Sequence, residues 1–224
     1  MIDPPYRATD GRFIRHNAMI VPGSGLVRAQ AEEEGLADIP TIEQVAREHF
    51  GIGMGPFELM NITGIPVGLH AASTLGRELG PFYEPSPLLA QQVEKGEHWD
   101  LGGTPAVGDV EEITERLLAA TFAVVTQILD EKVCSKEDVD RGARIGLRWA
   151  KGPFQMLNET GLEAASDMVQ KLCDRHPDLQ MPDSLAAQRR SGSPFRFQRV
   201  DLRIEEHVAH ITINRPEVLN ALDQ

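Results

Sequence analysis

Gly55-Pro56-Phe57-Glu58-Leu59-Met60-Asn61-Ile62-Thr63-Gly64 recurs as Gly152-Pro153-Phe154-Gln155-Met156-Leu157-Asn158-Glu159-Thr160-Gly161. Six of the ten positions are identical, 97 residues apart. The same offset continues downstream, where Pro85, Leu88, Ala90 and Gln91 meet Pro182, Leu185, Ala187 and Gln188. Upstream, an offset of 94 pairs Glu43, Val45 and Arg47 with Glu137, Val139 and Arg141. That shift predicts a three-residue length change between the blocks. Three matched blocks in order predict an internal duplication.

Each copy reads as helices. Thr41 with Gln44 has the form of a capping box opening a helix over Thr41–Phe50, and Ser135 with Asp138 repeats the device. Pro56 and Pro153 stand where a helix starts, because the first turn has no use for that N–H. Gly64 and Gly161 stand where it stops. Over Val110–Lys132, one stripe carries Ile113, Leu117, Ala120, Val124 and Ile128, and a second carries Leu118, Phe122, Val125 and Leu129. Two stripes predict a helix covered on both sides, by the domain core or by a dimer partner. The corresponding first helix of the first copy falls near Ala18–Glu34, where Pro22-Gly23-Ser24-Gly25 shortens it.

After a polar joint at Ser191–Phe195 the period changes to two. Val200, Leu202 and Ile204 alternate, then Ala209, Ile211 and Ile213, with Glu206-His207 between them. This is a β-hairpin. Proline at 216 ends the second strand. The fold expected is therefore all-α, a duplicated helical domain with a short C-terminal β-hairpin. A hairpin alone is marginally stable in water, so it needs a neighbour.

Composition removes several function classes. The formal charge is −12 and the apolar fraction 41%, which describe a globular acidic protein. Such a surface repels nucleic acid and anionic lipid. No apolar run is long enough to span a membrane and no signal segment is evident, so the expectation is a cytoplasmic protein. Cys134 and Cys173 read as reduced thiols. Gly51-Ile52-Gly53-Met54-Gly55 lacks the third glycine and the preceding strand of a dinucleotide loop, and reads as a turn between helices. The seven histidines show no metal-ligand spacing, so no metal is expected. His70, in a mostly apolar helix, reads as a satisfied core or interface residue. His70 and His98 are the alternatives for an unrelated enzyme.

The Gly55, Pro56, Phe57, Glu58 run, with Gly53-Met54 before it and Pro85-Ser86-Pro87-Leu88 after it, resembles the C-terminal domain of 3-hydroxyacyl-CoA dehydrogenases. The Gly152, Pro153, Phe154 copy resembles the partner half of long forms in which that domain is duplicated. The resemblance implies a helical fold like the C-terminal domain of 6-phosphogluconate dehydrogenase. It also implies the substrate (acyl-CoA) and NAD, the latter held by a nucleotide-binding domain that carries the catalytic His–Glu pair and has no counterpart in this sequence. The family's substrate-contacting asparagine corresponds to Asn17, after Gly11-Arg12-Phe13-Ile14.

Asn214-Arg215-Pro216 and Leu219-Asn220-Ala221-Leu222 resemble the opening of enoyl-CoA hydratases, the crotonase fold. There Val218, Leu219 and Ala221 approach CoA, and the catalytic residues come later than Gln224. The expected organisation is an N-terminal loop (1–13), a first unit (14–109), a second unit (110–192), and a linker with the start of a crotonase-like domain (193–224). The expected part played is an acyl-pocket and dimerisation domain with no catalytic residue of its own, inactive in isolation. The rival is a non-catalytic helical scaffold.

Overall fold

A computed structural model describes residues 37–103 and 109–213. The expectations on the N-terminal loop, the Ala18–Glu34 helix, Asn17, Val218, Leu219 and Ala221 fall outside these residues.

The first copy runs α1 (Ile39–Phe50), α2 (Pro56–Thr63), α3 (Ile65–Leu79), a 3₁₀ turn at Pro81–Tyr83, and α4 (Pro87–Lys95). The second runs α5 (Val110–Asp130), α6 (Lys136–Gly146), α7 (Pro153–Thr160), α8 (Leu162–Arg175) and α9 (Asp183–Ser191). The hairpin β1 (Val200–Glu205) and β2 (Val208–Ile213) follows. The duplicated helical reading holds: α1, α2, α3 and α4 reappear in order as α6, α7, α8 and α9.

The helix ends explain the boundaries, and two expectations change. Thr41 does not cap α1. Asp38 does, its carboxylate accepting from the Thr41 N–H at 2.9 Å, with Pro40 in the first turn. An Asp in the cap position followed by a first-turn proline outcompetes a threonine placed further in. Thr41 is instead buried in the helix, and Gln44 bonds Glu48 one turn on. Ser135 caps α6 as expected, accepting from the Asp138 N–H at 3.1 Å while its hydroxyl donates to that carboxylate at 2.7 Å.

The second change concerns the repeat register. Asp38 and Ser135 are 97 apart, the same offset as Gly55 and Gly152, so α1 and α2 repeat without any length change. The offset then falls to 96. Leu89 and Leu185 are both buried, and Gly96 and Gly192 close α4 and α9 with φ of 69° and 65°. The lost residue lies between α2 and α4, where α3 has 15 residues and α8 has 14. Matching identical letters had favoured other pairings.

Helix α5 is the centre of the molecule. Its buried face is nearly continuous from Ile113 to Ile128, and it packs on α8, α9, α7 and α6 of its own copy and on α1 of the other. The chain's own helices therefore cover both stripes. Thr121 and Thr126, buried in this helix, return their hydroxyls to the carbonyls of Leu117 and Phe122 and so leave no orphan donors.

The copies meet elsewhere too. Trp149 packs on Phe50 with ring centroids 4.6 Å apart, and the Ala150 N–H donates to the Phe50 carbonyl. The Tyr83 hydroxyl donates to Gln127 at 3.0 Å, and the Phe82 N–H donates to Asp178 at 2.7 Å.

The hairpin pairs Val200 with Ile213 through Glu205 with Val208, turning at Glu206 and His207 with φ of 47° and 69°. Val200, Leu202, Ile204 and Ile211 are exposed. The Ser191–Phe195 stretch is less of a joint than its composition suggests, because Phe195 is buried against α7.

Candidate functional site

The quoted motif is a helix start built around a buried carboxylate. Glu43 on α1 accepts from the backbone N–H groups of Phe57 and Glu58 at the N-terminus of α2. Asp140 on α6 does the same for α7, accepting from Phe154 at 2.7 Å and Gln155 at 3.0 Å. The first N–H groups of a helix have no partner within it, and an anion also matches the positive end of its dipole.

The glycine makes room for this. A Cβ on Gly55 would collide with the Glu43 carboxylate, and one on Gly152 with the Asp140 carboxyl group. Proline follows because its missing N–H costs nothing in the first turn. The phenylalanine then drops into the core: Phe57 and Phe154 are both fully buried. Gly51 (φ 60°) closes α1, which confirms the Gly51–Gly55 run as a turn between helices.

A second device closes each copy. Asn61 donates from Nδ2 to the Trp99 carbonyl at 2.9 Å and accepts from the Trp99 N–H at 2.8 Å. Asn158 holds Phe195 with the same two bonds at the same two distances. Each held ring meets the motif phenylalanine edge-on at 5.0 Å, Trp99 on Phe57 and Phe195 on Phe154.

Burial pushes the Asp140 carboxyl up to about 6, against the pull of the Phe154 and Gln155 amides and of Arg144. The folded protein then binds this proton more tightly than the unfolded chain does, whose reference value is 3.8. Between those values stability falls as pH rises, and it levels off above about 6. One unit corresponds to about 1.4 kcal/mol, so the full effect is at most about 3 kcal/mol. Stability curves of the wild type minus those of Asp140→Asn should decline across this window. A flat or rising difference contradicts the assignment.

The second copy has a cleft of about 550 Å³ between α6, α7 and the segment 194–199. Asp140, Arg144, Gln155, Phe197 and Arg199 contribute to its lining. The first copy's Glu58 is tied up by Arg47, which also lies 3.7 Å from Glu43.

Of the residues singled out from sequence, the two motif sets stand at equivalent places but in separate copies, and no single site joins them. His70 is exposed on α3 and His98 is exposed beyond α4, so the core reading of His70 is corrected. The apolar character of α3 reflects Ile65, Ala72 and Leu75 on its other side. Cys134 and Cys173 are free thiols, both pushed up by burial. Among the described residues no cluster of ligating side chains is placed to hold a metal, and no helix is long and apolar enough to cross a membrane. Glu43, Asp140, Asn61 and Asn158 were missed as functional parts of the motif. The available signal was an acidic residue twelve positions before each motif glycine.

A buried-carboxylate helix start, used twice around one shared helix, defines a duplicated all-α domain. The sequence model of the family "3-hydroxyacyl-CoA dehydrogenase, C-terminal domain" matches twice, over residues 26–104 and 113–193. The chain belongs to that family. Its fold is also that of a solved 3-hydroxybutyryl-CoA dehydrogenase from Escherichia coli K12, with a TM-score of 0.65 over 79% of this chain at 14% identity. The match spans 59% of that protein.

Proposed function

We propose that this chain serves a 3-hydroxyacyl-CoA dehydrogenase as the helical part that walls the acyl pocket and buries the contact between half-domains. The double family match is the observation that carries this reading. In this reading residues 14–109 and 110–192 are the two units, after a loop at 1–13. Residues 193–224 are a linker and the opening of a crotonase-like module from a protein fused to an enoyl-CoA hydratase. Asn17 contacts substrate, and Val218, Leu219 and Ala221 belong to the CoA side of the hydratase module. A homodimer is the natural partner for the apolar positions left open at Ile62 and Val67.

The described residues do not fit NAD. The described sheet is a two-stranded antiparallel hairpin, and a dinucleotide needs a strand, a glycine-rich loop and a helix opening on the pyrophosphate. In this reading hydride transfer belongs to the family's nucleotide-binding domain and not to these helices. Incubated alone with a 3-hydroxyacyl-CoA and NAD, the chain should produce no NADH, while calorimetry with the acyl-CoA alone should show binding. NADH formation contradicts the first part. Absence of binding heat favours a helical scaffold instead.

A further inference from the structure

The two copies serve as controls for each other, and among their differences one bears on a matched arginine. In the first copy Arg47 is neutralised by Glu58 at the third position of α2. In the second copy the equivalent arginine is Arg144, and the third position of α7 is Gln155. Gln155 turns its amide to Glu159 instead, at 3.0 Å. Arg144, half-buried, then forms no ion pair among the described residues, and it lines the cleft.

The acids around it are already engaged. Glu137 is 3.1 Å from the Lys136 ammonium and accepts from the Gln198 N–H at 2.7 Å. Asp140 is held by two amides of α7, and Glu159 pairs with Lys151. Arg141 pairs with Asp138 at 2.9 Å. Arg144 acts on Asp140 only through space, with no carboxylate in ion-pair reach among the described residues. A guanidinium so placed, facing a cleft, is a site for an oxyanion, which its planar fork matches.

We propose that the α6–α7 cleft binds a phosphoryl anion on Arg144, with Phe197 and Pro194 forming the apolar wall for the body that carries it. The cleft is far larger than a phosphate ion, which leaves room for such a body. The site is independent of the acyl-pocket reading, since it stands on α6, α7 and the segment 194–199 and uses no residue assigned to the acyl chain.

Amide NMR of the full chain, titrated with inorganic phosphate and separately with adenosine 5′-phosphate, tests this. Saturable shifts are expected over 137–144, 153–159 and 194–199, with none around Arg47. Adenosine 5′-phosphate should bind about tenfold more tightly if the carried group stacks on Phe197. Equal affinity would assign the site to the free ion. Gln155→Glu restores the first copy's pairing and should abolish the shifts while leaving the thermal midpoint at or above the wild-type value. Arg144→Gln should abolish them also. Absence of shifts in the cleft overturns the proposal, and so does binding that survives both substitutions in folded protein.

Discussion

Phe122→Ala should cost about 4 kcal/mol. Phe122 is fully buried at the middle of α5, the helix on which α1 of the first copy and the helices of the second all pack. Removing a buried phenylalanine forfeits its transfer free energy and leaves a cavity, typically about 3–5 kcal/mol in total. Whole domains are stable by only about 5–15 kcal/mol, so this one change removes a large share. Urea unfolding should show a lowered midpoint with an unchanged slope. A loss below about 1 kcal/mol would mean that α5 is peripheral.

Gly152→Ala should cost about 3 kcal/mol although it adds a single methyl group. The backbone at Gly152 has φ −76°, which any residue adopts, so strain in the main chain is not the cause. The added Cβ displaces Asp140, a short side chain with little room to withdraw. The amides of Phe154 and Gln155 then lose their acceptor, and Phe154 is buried. Losing a cap costs about 1–2 kcal/mol, and an unsatisfied buried donor about 1–3. Gly55→Ala should cost less, because the longer Glu43 side chain can swing aside. In denaturant titrations the Gly152→Ala and Asp140→Ala losses should fail to add, since each destroys the same contact. Simple additivity would refute the pairing.

Much of the architecture was legible before coordinates. Two hydrophobic stripes marked α5, proline and glycine bracketed α2 and α7, and alternation placed the hairpin within a residue. These signals are local, and local physics fixes them. What was missed required knowing which side chains meet across the fold. Glu43 was matched with Glu137 because the letters agree. Its physical counterpart is Asp140, a different residue with the same amide partners. Glu137 instead holds Lys136 and the Gln198 N–H. Asn61 and Asn158 were visible as identities, but a side chain that clasps a backbone 38 or 37 residues away leaves no periodic trace. The capping of α1 was misplaced for a simpler reason: Asp38 and Pro40 form the stronger start signal three residues upstream of Thr41.

Native-state hydrogen exchange bears most directly on the claim that, among the described residues, both copies pack on the same helix, α5. The amides to follow are those of Val45 and Ala46 in α1 and of Val169 and Leu172 in α8, all buried. In wild-type protein both sets should open with the same free energy, and Phe122→Ala should lower both equally. If only the α8 amides lose protection while those of α1 keep theirs, the copies have separate interiors and the account is wrong.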